Sequence, residues 1–236
     1  MKKKILSLAL VVALIAIMVS GTLAYFSAED EVTNTFTIGS VKIEIYENDK
    51  PTDEDTMTFD PLTPIVNVDN PSEDISYQAK VVEVKNTGAN DAYIRTHIAI
   101  PTKLVGYLYL DLNTSGWTRQ TDTTATVEGV DYTVFTYDYN TAVASGDLTT
   151  ELLKGVYLGS NVDLVEDTNG NLVFVLRDNG AVTHNSGYLA HTKTANGYES
   201  SYVYVLVASQ AIQAQGFDDA TTALNTGFGA QTNPWQ

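Results

Sequence analysis

The chain of 236 residues contains no cysteine, so disulfide bonds cannot contribute to its stability. Basic residues are also scarce: 13 lysines and arginines stand against 29 aspartates and glutamates, a formal net charge of −16. This negative charge repels phosphate backbones and anionic lipid, which argues against nucleic acid and membrane surfaces as partners of the folded part. Only 18% of the residues are charged while 44% are hydrophobic, a composition that supports a packed core and argues against disorder.

Several motifs of enzyme chemistry are missing. The chain has no His-Glu-x-x-His pair of zinc proteases, no Gly-x-Ser-x-Gly elbow and no glycine-rich phosphate loop. His97 alternates with apolar residues, which predicts a position on a sheet face. His184 and His191 are seven residues apart in a stretch rich in Gly, Asn and Thr, which predicts a solvated loop; they could share a metal only if that loop closed on itself. We therefore predict no catalytic residue, no cofactor and no metal ligand, with a Ser, His and Asp assembled by the fold alone as an open alternative.

The segment Asp167-Thr168-Asn169-Gly170-Asn171 has oxygen-bearing side chains at the first, third and fifth positions of a calcium loop. Leu172 stands at the sixth position, where such loops have glycine, and Asp178 at the twelfth, where glutamate is usual. Asn-Gly is also a favoured dipeptide of tight hairpins. The segment is predicted to be a hairpin, with a weak cation site as the alternative.

The N-terminus has the pattern of a secretory signal peptide. Lysines occupy positions 2–4, residues 5–19 are apolar apart from one serine, and small residues follow. We place the cut between Ala24 and Tyr25, which leaves 10 basic residues against 29 acidic ones and a net charge of −19. The apolar run is shorter than the roughly 20 residues that span a bilayer, so no stable membrane anchor is expected after cleavage. An uncleaved anchor is the alternative.

The mature chain, residues 25–236, is predicted to form a single all-β domain, an antiparallel sandwich of jelly-roll type with few short helices. Residues 41–45 and 94–100 alternate between apolar and polar side chains, which is typical of half-buried strands. Residues 202–208 are apolar on both faces, which is typical of a central strand.

Residues that favour turns and helix caps (Asn, Gly, Pro and Asp) predict the connections between strands and the short helices. Residues 86–91 contain Asn-Thr-Gly and read as a hairpin connection between two strands. Residues 48–60 are acidic and poor in strand formers, and the prolines that follow exclude a central strand, so this stretch is predicted to be a surface connection. A short helix is expected from Asp219 to about Gly227, and Leu152-Leu153 is a candidate for another helical turn.

Three blocks of sequence occur in the order found in a known family. They are Gly21-Thr22-Leu23-Ala24-Tyr25-Phe26-Ser27 with Asn34-Thr35-Phe36-Thr37-Ile38-Gly39-Ser40-Val41-Lys42-Ile43, then Val82-Glu83-Val84-Lys85-Asn86-Thr87-Gly88 with Ala92-Tyr93-Ile94-Arg95, and finally Ala211-Ile212-Gln213-Ala214-Gln215-Gly216-Phe217. Together they resemble the camelysin/TasA family of secreted biofilm-fibre proteins. The resemblance implies a jelly-roll sandwich, cleavage by a dedicated W-type signal peptidase, and polymerisation into extracellular fibres by donor-strand exchange. The zinc peptidase label carried by camelysin has no matching motif in this sequence.

The mature N-terminus, from Tyr25 to Ile38, is a candidate donor strand. In an extended conformation Val32, Phe36 and Ile38 lie on one face, which Asn34 interrupts. Such a strand can add to an open sheet edge of the next subunit, and a head-to-tail contact that does not close a ring produces a filament. The alternative is that Val32 to Ile38 form the first strand of their own sandwich.

We therefore predict a secreted structural protein of the extracellular matrix or cell surface of a Gram-positive bacterium. Its expected partners are copies of itself or related matrix proteins, and it has no catalytic residues. One alternative is a monomeric accessory or adhesin module whose exposed tyrosines contact glycan or another partner. The other is a secreted zinc metallopeptidase that holds its metal with His184 and His191.

Overall fold

A computed structural model describes residues 27–30, 41–51, 56–58, 62–230 and 233–235. In this part of the chain no helix is both long enough and apolar enough to cross a membrane. The predictions for the N-terminus lie outside the described residues: the signal peptide 1–24, the cleavage site Ala24–Tyr25, and the apolar positions Val32, Phe36 and Ile38 of the candidate donor strand.

Strands dominate the described residues. They are β1 Ser27–Asp30, β2 Ile43–Glu47, β3 Lys50–Pro51, β4 Thr56–Thr58, β5 Gln78–Asn86, β6 Ala92–Pro101, β7 Leu108–Leu112, β8 Trp117–Arg119, β9 Thr123–Val127, β10 Val130–Tyr139, β11 Leu153–Leu158, β12 Val162–Glu166, β13 Leu172–Asp178, β14 Ala181–Thr194, β15 Gly197–Ser200 and β16 Tyr204–Gln213. Among the described residues one α-helix, α1, spans Ala220–Phe228, and 3-10 turns span Pro71–Glu73 and Thr102–Leu104.

The strands form three sheets. Sheet A has the order β1-β16-β6-β10-β8, with β4 also paired to β16 and β9 to β10. Sheet B has the order β3-β2-β5-β11-β7, and sheet C has the order β12-β13-β14-β15. Every pairing between these strands is antiparallel. The prediction of an all-β antiparallel sandwich is confirmed.

Sheets A and B pack against each other through their inward side chains. Ile98, Ile100 and Val207 of sheet A and Val82 and Val156 of sheet B belong to one buried cluster. Burial of each such side chain stabilises the fold by about 1.5 to 3 kcal/mol, because its apolar surface leaves water. Sheet C, which lies between β11 and β16 in the chain, extends the same cluster with Val162, Phe174 and Ala190.

The long strands alternate between the two sheets along the chain. β5 belongs to sheet B, β6 to sheet A, β7 to sheet B, β8 to β10 to sheet A, and β11 again to sheet B. Each of these connections therefore crosses from one layer of the sandwich to the other. This alternation is the connectivity expected of a jelly roll rather than of a meander.

The predicted hairpin at residues 86–91 is wrong, because β5 and β6 lie in different sheets. Asn86 is fully buried there, and its side-chain amide donates to the carbonyl oxygens of Asn90 and Val143, both at 2.8 Å. Its side-chain oxygen accepts from the backbone of Gly88 at 2.9 Å. The Asn-Thr-Gly pattern correctly predicted that the chain turns here. The turn, however, connects sheet B to sheet A, and the buried Asn86 amide stabilises it.

Other local predictions have mixed outcomes. The hairpin at Asn169-Gly170 is confirmed, since β12 pairs with β13 and Gly170 has φ of 84°. The alternation at residues 41–45 is confirmed, because Val41, Ile43 and Ile45 are each only 3% exposed. Leu152-Leu153 is not a helical turn: both side chains are fully buried at the start of β11, where they belong to the main core. Residues 48–60 contain two short strands, β3 and β4.

Candidate functional site

Strand β16 is the part of the sandwich to which the N-terminal segment is attached. On one side, Leu206 to Gln213 pair with Ala99 to Ala92 of β6. On the other side, Ser209 to Ile212 pair with Asp30 to Ser27 of β1, and Tyr204 to Leu206 pair with Thr58 to Thr56 of β4. β16 is therefore a central strand, as predicted, although it begins at Tyr204 rather than at residue 202.

The edge of β16 that carries β1 and β4 is named the acceptor edge here. Two short strands share it, and Val207 and Ala208 lie between the stretches that they cover. Ala211 and Ser209, which stand opposite β1, are 0% and 1% exposed, and the Ser209 hydroxyl lies 3.0 Å from that of Thr96 on β6. Removal of β1 would thus open backbone donors and acceptors next to buried side chains, a costly situation unless another strand replaces it.

The outer face of sheet A is closed by α1 and the C-terminal residues. Arg95 on β6 donates from Nε and Nη2 to the two carboxylate oxygens of Asp138 on β10, at 2.6 and 2.9 Å, and both side chains are 0% exposed. Arg95 also donates from Nη1 to the carbonyl of Gly229 and from Nη2 to Oδ1 of Asn225, both at 2.8 Å. One guanidinium therefore ties two strands to the C-terminal end of α1, where a positive charge is favourable.

Apolar contacts and an N-cap complete this attachment. Ala220, Ala223 and Leu224 of α1 pack on Ile212 of β16. Asp219 caps the helix by accepting from the backbone N–H of Thr222 at 2.8 Å, which lowers the pKa of its carboxyl. The predicted helix is confirmed, with its end at Phe228 rather than at Gly227.

His97 lies on the same closed face. Its Nε2 is 3.2 Å from Oε1 of Gln210, and its Nδ1 is 2.9 Å from the hydroxyl of Thr136. An amide oxygen only accepts, so the proton belongs on Nε2 and Nδ1 accepts from the hydroxyl. Burial lowers the pKa of His97 to about 4, and the charge of Arg95 acts in the same direction. His97 is a sheet-face residue, as predicted, but the expectation that this strand is half-buried is wrong because α1 and Trp235 cover it.

The predicted loop around His184 and His191 is wrong, because both residues belong to strand β14. They pair with Leu176 and Leu172 of β13, four residues apart, which separates them by roughly 13 Å along the strand. Two ligands of one zinc ion each lie about 2 Å from the metal, so this pair does not fit a shared site. Within the described residues, no group of three His, Cys, Asp or Glu side chains is placed to hold a metal ion.

Asp167 shapes the hairpin that also resembled a calcium loop. Its Oδ1 accepts from the backbone N–H groups of Asn169 and Asn171, both at 2.8 Å. Desolvation acts to raise the pKa of the carboxyl, but these bonds and others within the turn outweigh it and lower the pKa. The side-chain amide of Asn171 donates to Oδ2 at 3.2 Å. The carboxylate thus serves the turn itself, which agrees with the hairpin prediction.

Three tyrosines form a row on the outer face of sheet B, named the tyrosine row here. Tyr157 of β11 stacks on Tyr109 of β7 with ring centroids 5.5 Å apart and planes 11° apart, and on Tyr77 with centroids 6.2 Å apart and planes 29° apart. Tyr109 is 41% exposed, and the other two rings are half-buried. Sequence reasoning missed this row.

Two glycines on β11 and just beyond it make room for these rings. A side chain at Gly155 would collide with the ring end of Tyr77, and a Cβ atom at Gly159 would lie 2.8 Å from Cε2 of Tyr109. Positions 155, 157 and 159 share one face of the strand because side chains alternate. The pattern Gly-Val-Tyr-Leu-Gly was therefore the available signal: a tyrosine with a glycine two residues away on each side.

Comparisons with known proteins identify no relative: no family model matches the chain, and no curated protein or solved structure matches it significantly. The resemblance to the camelysin/TasA family stays a prediction from the sequence.

Proposed function

We propose that this protein is a secreted structural subunit that polymerises in an extracellular biofilm matrix by donating its N-terminal strand to the next subunit. Its partners are further copies of itself or related matrix proteins. The observation that carries the proposal is the pairing of β1 with β16, because it identifies an edge of the sandwich that accepts the N-terminal segment. The resemblance of the sequence blocks to secreted fibre proteins supports the same function.

The exchange follows from what holds β1 in place. β1 is four residues long and joins sheet A through antiparallel pairing with β16. The same backbone bonds form whether β1 belongs to the same chain or to a neighbour, so exchange of this strand between copies conserves them. Ten residues separate β1 from the described start at Val41, and a connection of that length reaches at most about 35 Å. Each subunit both offers a strand and accepts one, which is a head-to-tail contact.

The register indicates which face of the donor strand meets the core. Ala28 stands opposite Ala211, a fully buried position. In an extended strand the even-numbered positions that follow, Val32, Phe36 and Ile38, would share the face of Ala28. A strand in this register would thus turn the predicted apolar face toward the core for as long as its pairing with β16 continues, and with β4 in place that stretch includes only Val32 of the three positions.

Strand β4 limits how far a donor strand can pair. Continued in the same antiparallel register, residues beyond position 32 would meet Tyr204 to Leu206, which β4 already covers. A longer donor strand must displace β4 or leave the sheet after a few more residues. We take the short exchange, with β4 in place, as the form of the proposal.

Substitution of Ala28 tests this exchange at the centre of β1. The change Ala28→Pro removes a backbone donor and restricts the backbone, whereas Ala28→Val keeps the donor and favours a strand. We expect protein that begins at Tyr25 to form filaments in negative-stain electron microscopy, Ala28→Val to form them too, and Ala28→Pro to remain monomeric. Deletion of residues 25–38 should also abolish filaments.

Circular dichroism and thermal melting of each variant separate loss of assembly from loss of folding. A synthetic peptide of residues 25–38 should bind the deleted variant, because its acceptor edge is open, and should raise its melting temperature. Filaments from the deleted variant, or monodisperse particles from the intact protein and Ala28→Val alike, would contradict the proposal.

A further inference from the structure

We propose that Tyr109 and Tyr157 are an oxidative cross-linking site, at which peroxide chemistry joins the two phenol rings through a carbon–carbon bond. The bond ties β7 covalently to β11 within sheet B. The inference does not depend on the fibre proposal, because it concerns a single chain and the acceptor edge lies in sheet A. The chain has no cysteine, so a covalent link between its strands has to use other side chains.

The two rings already lie side by side. Tyr109 and Tyr157 stand directly opposite each other in the antiparallel ladder of β7 and β11, where side chains on one face are close neighbours. Their ring centroids are 5.5 Å apart and their planes are 11° apart, which brings the rims of the two rings together. Groups held in this way react far faster than the same groups meeting by diffusion, because folding has already restricted their motion.

A position without a side chain leaves room for the outer ring. A Cβ atom at Gly159 would lie 2.8 Å from Cε2 of Tyr109, so glycine there allows this ring to lie beside Tyr157. The Cε carbons are the ones next to the hydroxyl-bearing carbon, and oxidised phenols couple at these carbons. Because the two faces of a tyrosine ring are equivalent about the Cβ–Cγ bond, either Cε atom can take this role.

The reaction balances with one molecule of hydrogen peroxide, activated by the haem group of a separate peroxidase. Each phenol loses one electron and one proton, and the two resulting radicals form a bond between their Cε carbons. The hydrogen on each bonded carbon then moves to the ring oxygen as a proton, so both hydroxyls are restored. The peroxide takes up the two electrons and two protons and leaves as two molecules of water, and the protein becomes lighter by two hydrogen atoms.

Exposure determines which ring reacts first. Tyr109 is 41% exposed, so an oxidant reaches its ring and water accepts its proton. Burial raises the pKa of Tyr157, and the carboxylate of Asp111 adds to this effect, so this phenol keeps its proton at neutral pH until it loses an electron. The exposed ring is therefore oxidised first, and its stacked neighbour lies within reach for the second step.

Two other tyrosine pairs among the described residues are placed less well for coupling. Tyr77 stacks on Tyr157 with centroids 6.2 Å apart and planes 29° apart, and its hydroxyl is held by a carboxylate at 2.8 Å. Tyr202 and Tyr204 are exposed, but their centroids are 6.3 Å apart and their planes 37° apart. Tyr202 precedes β16, so strand pairing does not fix its position. We expect the pair on β7 and β11 to predominate.

Oxidation of the purified protein at low concentration tests the inference. Hydrogen peroxide and a haem peroxidase are added, and free tyrosine in a parallel sample shows that the oxidant is active. Digestion and mass spectrometry should identify an intramolecular link between the peptides that contain residues 109 and 157, with the loss of two hydrogen atoms. Because the link closes a loop of about 50 residues, the linked monomer should melt roughly 5 °C higher than the untreated protein.

Single hydroxyl deletions provide the variants. Tyr109→Phe and Tyr157→Phe should each lower the yield of the link at least about tenfold, because phenylalanine keeps the ring but has no hydroxyl to oxidise. Tyr77→Phe and Tyr204→Phe are the matched controls and should leave the yield unchanged, and thermal melting before oxidation verifies that every variant is folded. The inference is overturned if free tyrosine couples while the protein forms no intramolecular link, if the link joins a different pair, or if Tyr109→Phe leaves its yield unchanged.

Discussion

The outer faces of the two large sheets both carry polar and aromatic side chains, yet the described residues cover only one of these sets. On sheet A, α1 and Trp235 lie over Arg95 and His97, and both of these side chains are 0% exposed. On sheet B, the tyrosine row is half-buried at two rings, and Tyr109 is 41% exposed.

The difference lies in how the polar groups are satisfied. Arg95 makes four hydrogen bonds, all to groups of the same chain, so the closed face has its partners already. On the open face, Asp111 accepts from Tyr77, and the stacked rings stand at the surface. A buried polar network fixes one arrangement of a fold, whereas preformed aromatic surface beside solvent is what a binding site needs. The closed face therefore has its polar partners within the fold, whereas the open face keeps aromatic surface next to solvent.

Loss of Arg95 should break the closed face. Arg95→Met leaves the Asp138 carboxylate buried without its partner, and we expect the free energy of unfolding to fall by about 3 to 5 kcal/mol. Chemical denaturation measures this change. Arg119→Met is the matched control: Arg119 pairs with Asp122 at the surface, so its loss should cost less than about 1 kcal/mol. The double variant Arg95→Met/Asp138→Leu should recover most of the loss, and failure to recover would mean that the contacts to α1 carry the effect instead.

Acid should weaken the closed face through His97. Its pKa in the folded state, about 4, lies below the ordinary value of 6.5, so the unfolded chain binds the proton first as the pH falls. The stability linked to His97 is complete above pH 6.5 and is lost toward pH 4, by on the order of 3 kcal/mol. Chemical denaturation at several pH values across this range should therefore show the free energy of unfolding falling more with acid for the natural protein than for His97→Gln. His184→Gln, at an exposed histidine of β14, should show the same pH dependence as the natural protein. An equal pH dependence in all three proteins would refute this role of His97.

A methyl group at Gly155 should disturb the open face with a smaller effect on stability. Gly155→Ala pushes against the ring of Tyr77, and overpacking of this kind costs about 1 to 3 kcal/mol. Because the ring is half-buried rather than enclosed, we expect a value at the lower end, measured by chemical denaturation. The double variant Gly155→Ala/Tyr77→Ala should recover most of that stability. If Gly155→Ala alone leaves the free energy of unfolding unchanged, the glycine is not needed to place the ring.

Sequence predictions that depend on neighbouring residues were correct, and those that depend on distant parts of the chain were wrong or incomplete. Alternation at Val41, Ile43 and Ile45 and the cap at Asp219 depend on neighbours in the chain, and both were correct. The burial of Arg95 and His97 depends on a helix more than 120 residues away, and the local sequence of β6 gives no indication of that helix. Likewise, the sequence after Asn86 predicted a turn, but it could not predict that β6 would join sheet A, because its partners there, β10 and β16, are distant in the chain.

The candidate sites followed the same rule. The pairing of β1 with β16 joins residues about 180 positions apart, so the sequence indicated a donor strand without indicating its acceptor edge. The tyrosine row gathers rings from three separate stretches, and only the glycines flanking Tyr157 marked it locally. His184 and His191 were close in sequence, and the structure separates them because the stretch is a strand rather than a loop.

The position of β16 in sheet A also sets the order of biogenesis. This strand lies between β6 on one side and β1 and β4 on the other, yet it is the last of the described strands that the ribosome makes. β10, the other neighbour of β6, is made sooner, but β6 waits more than 100 residues for β16, so sheet A stays incomplete until most of the chain has been made. Non-local pairing of this kind slows folding and leaves edges open to other chains. We therefore expect a nascent copy to present the open edge of β6 to other chains until β16 emerges.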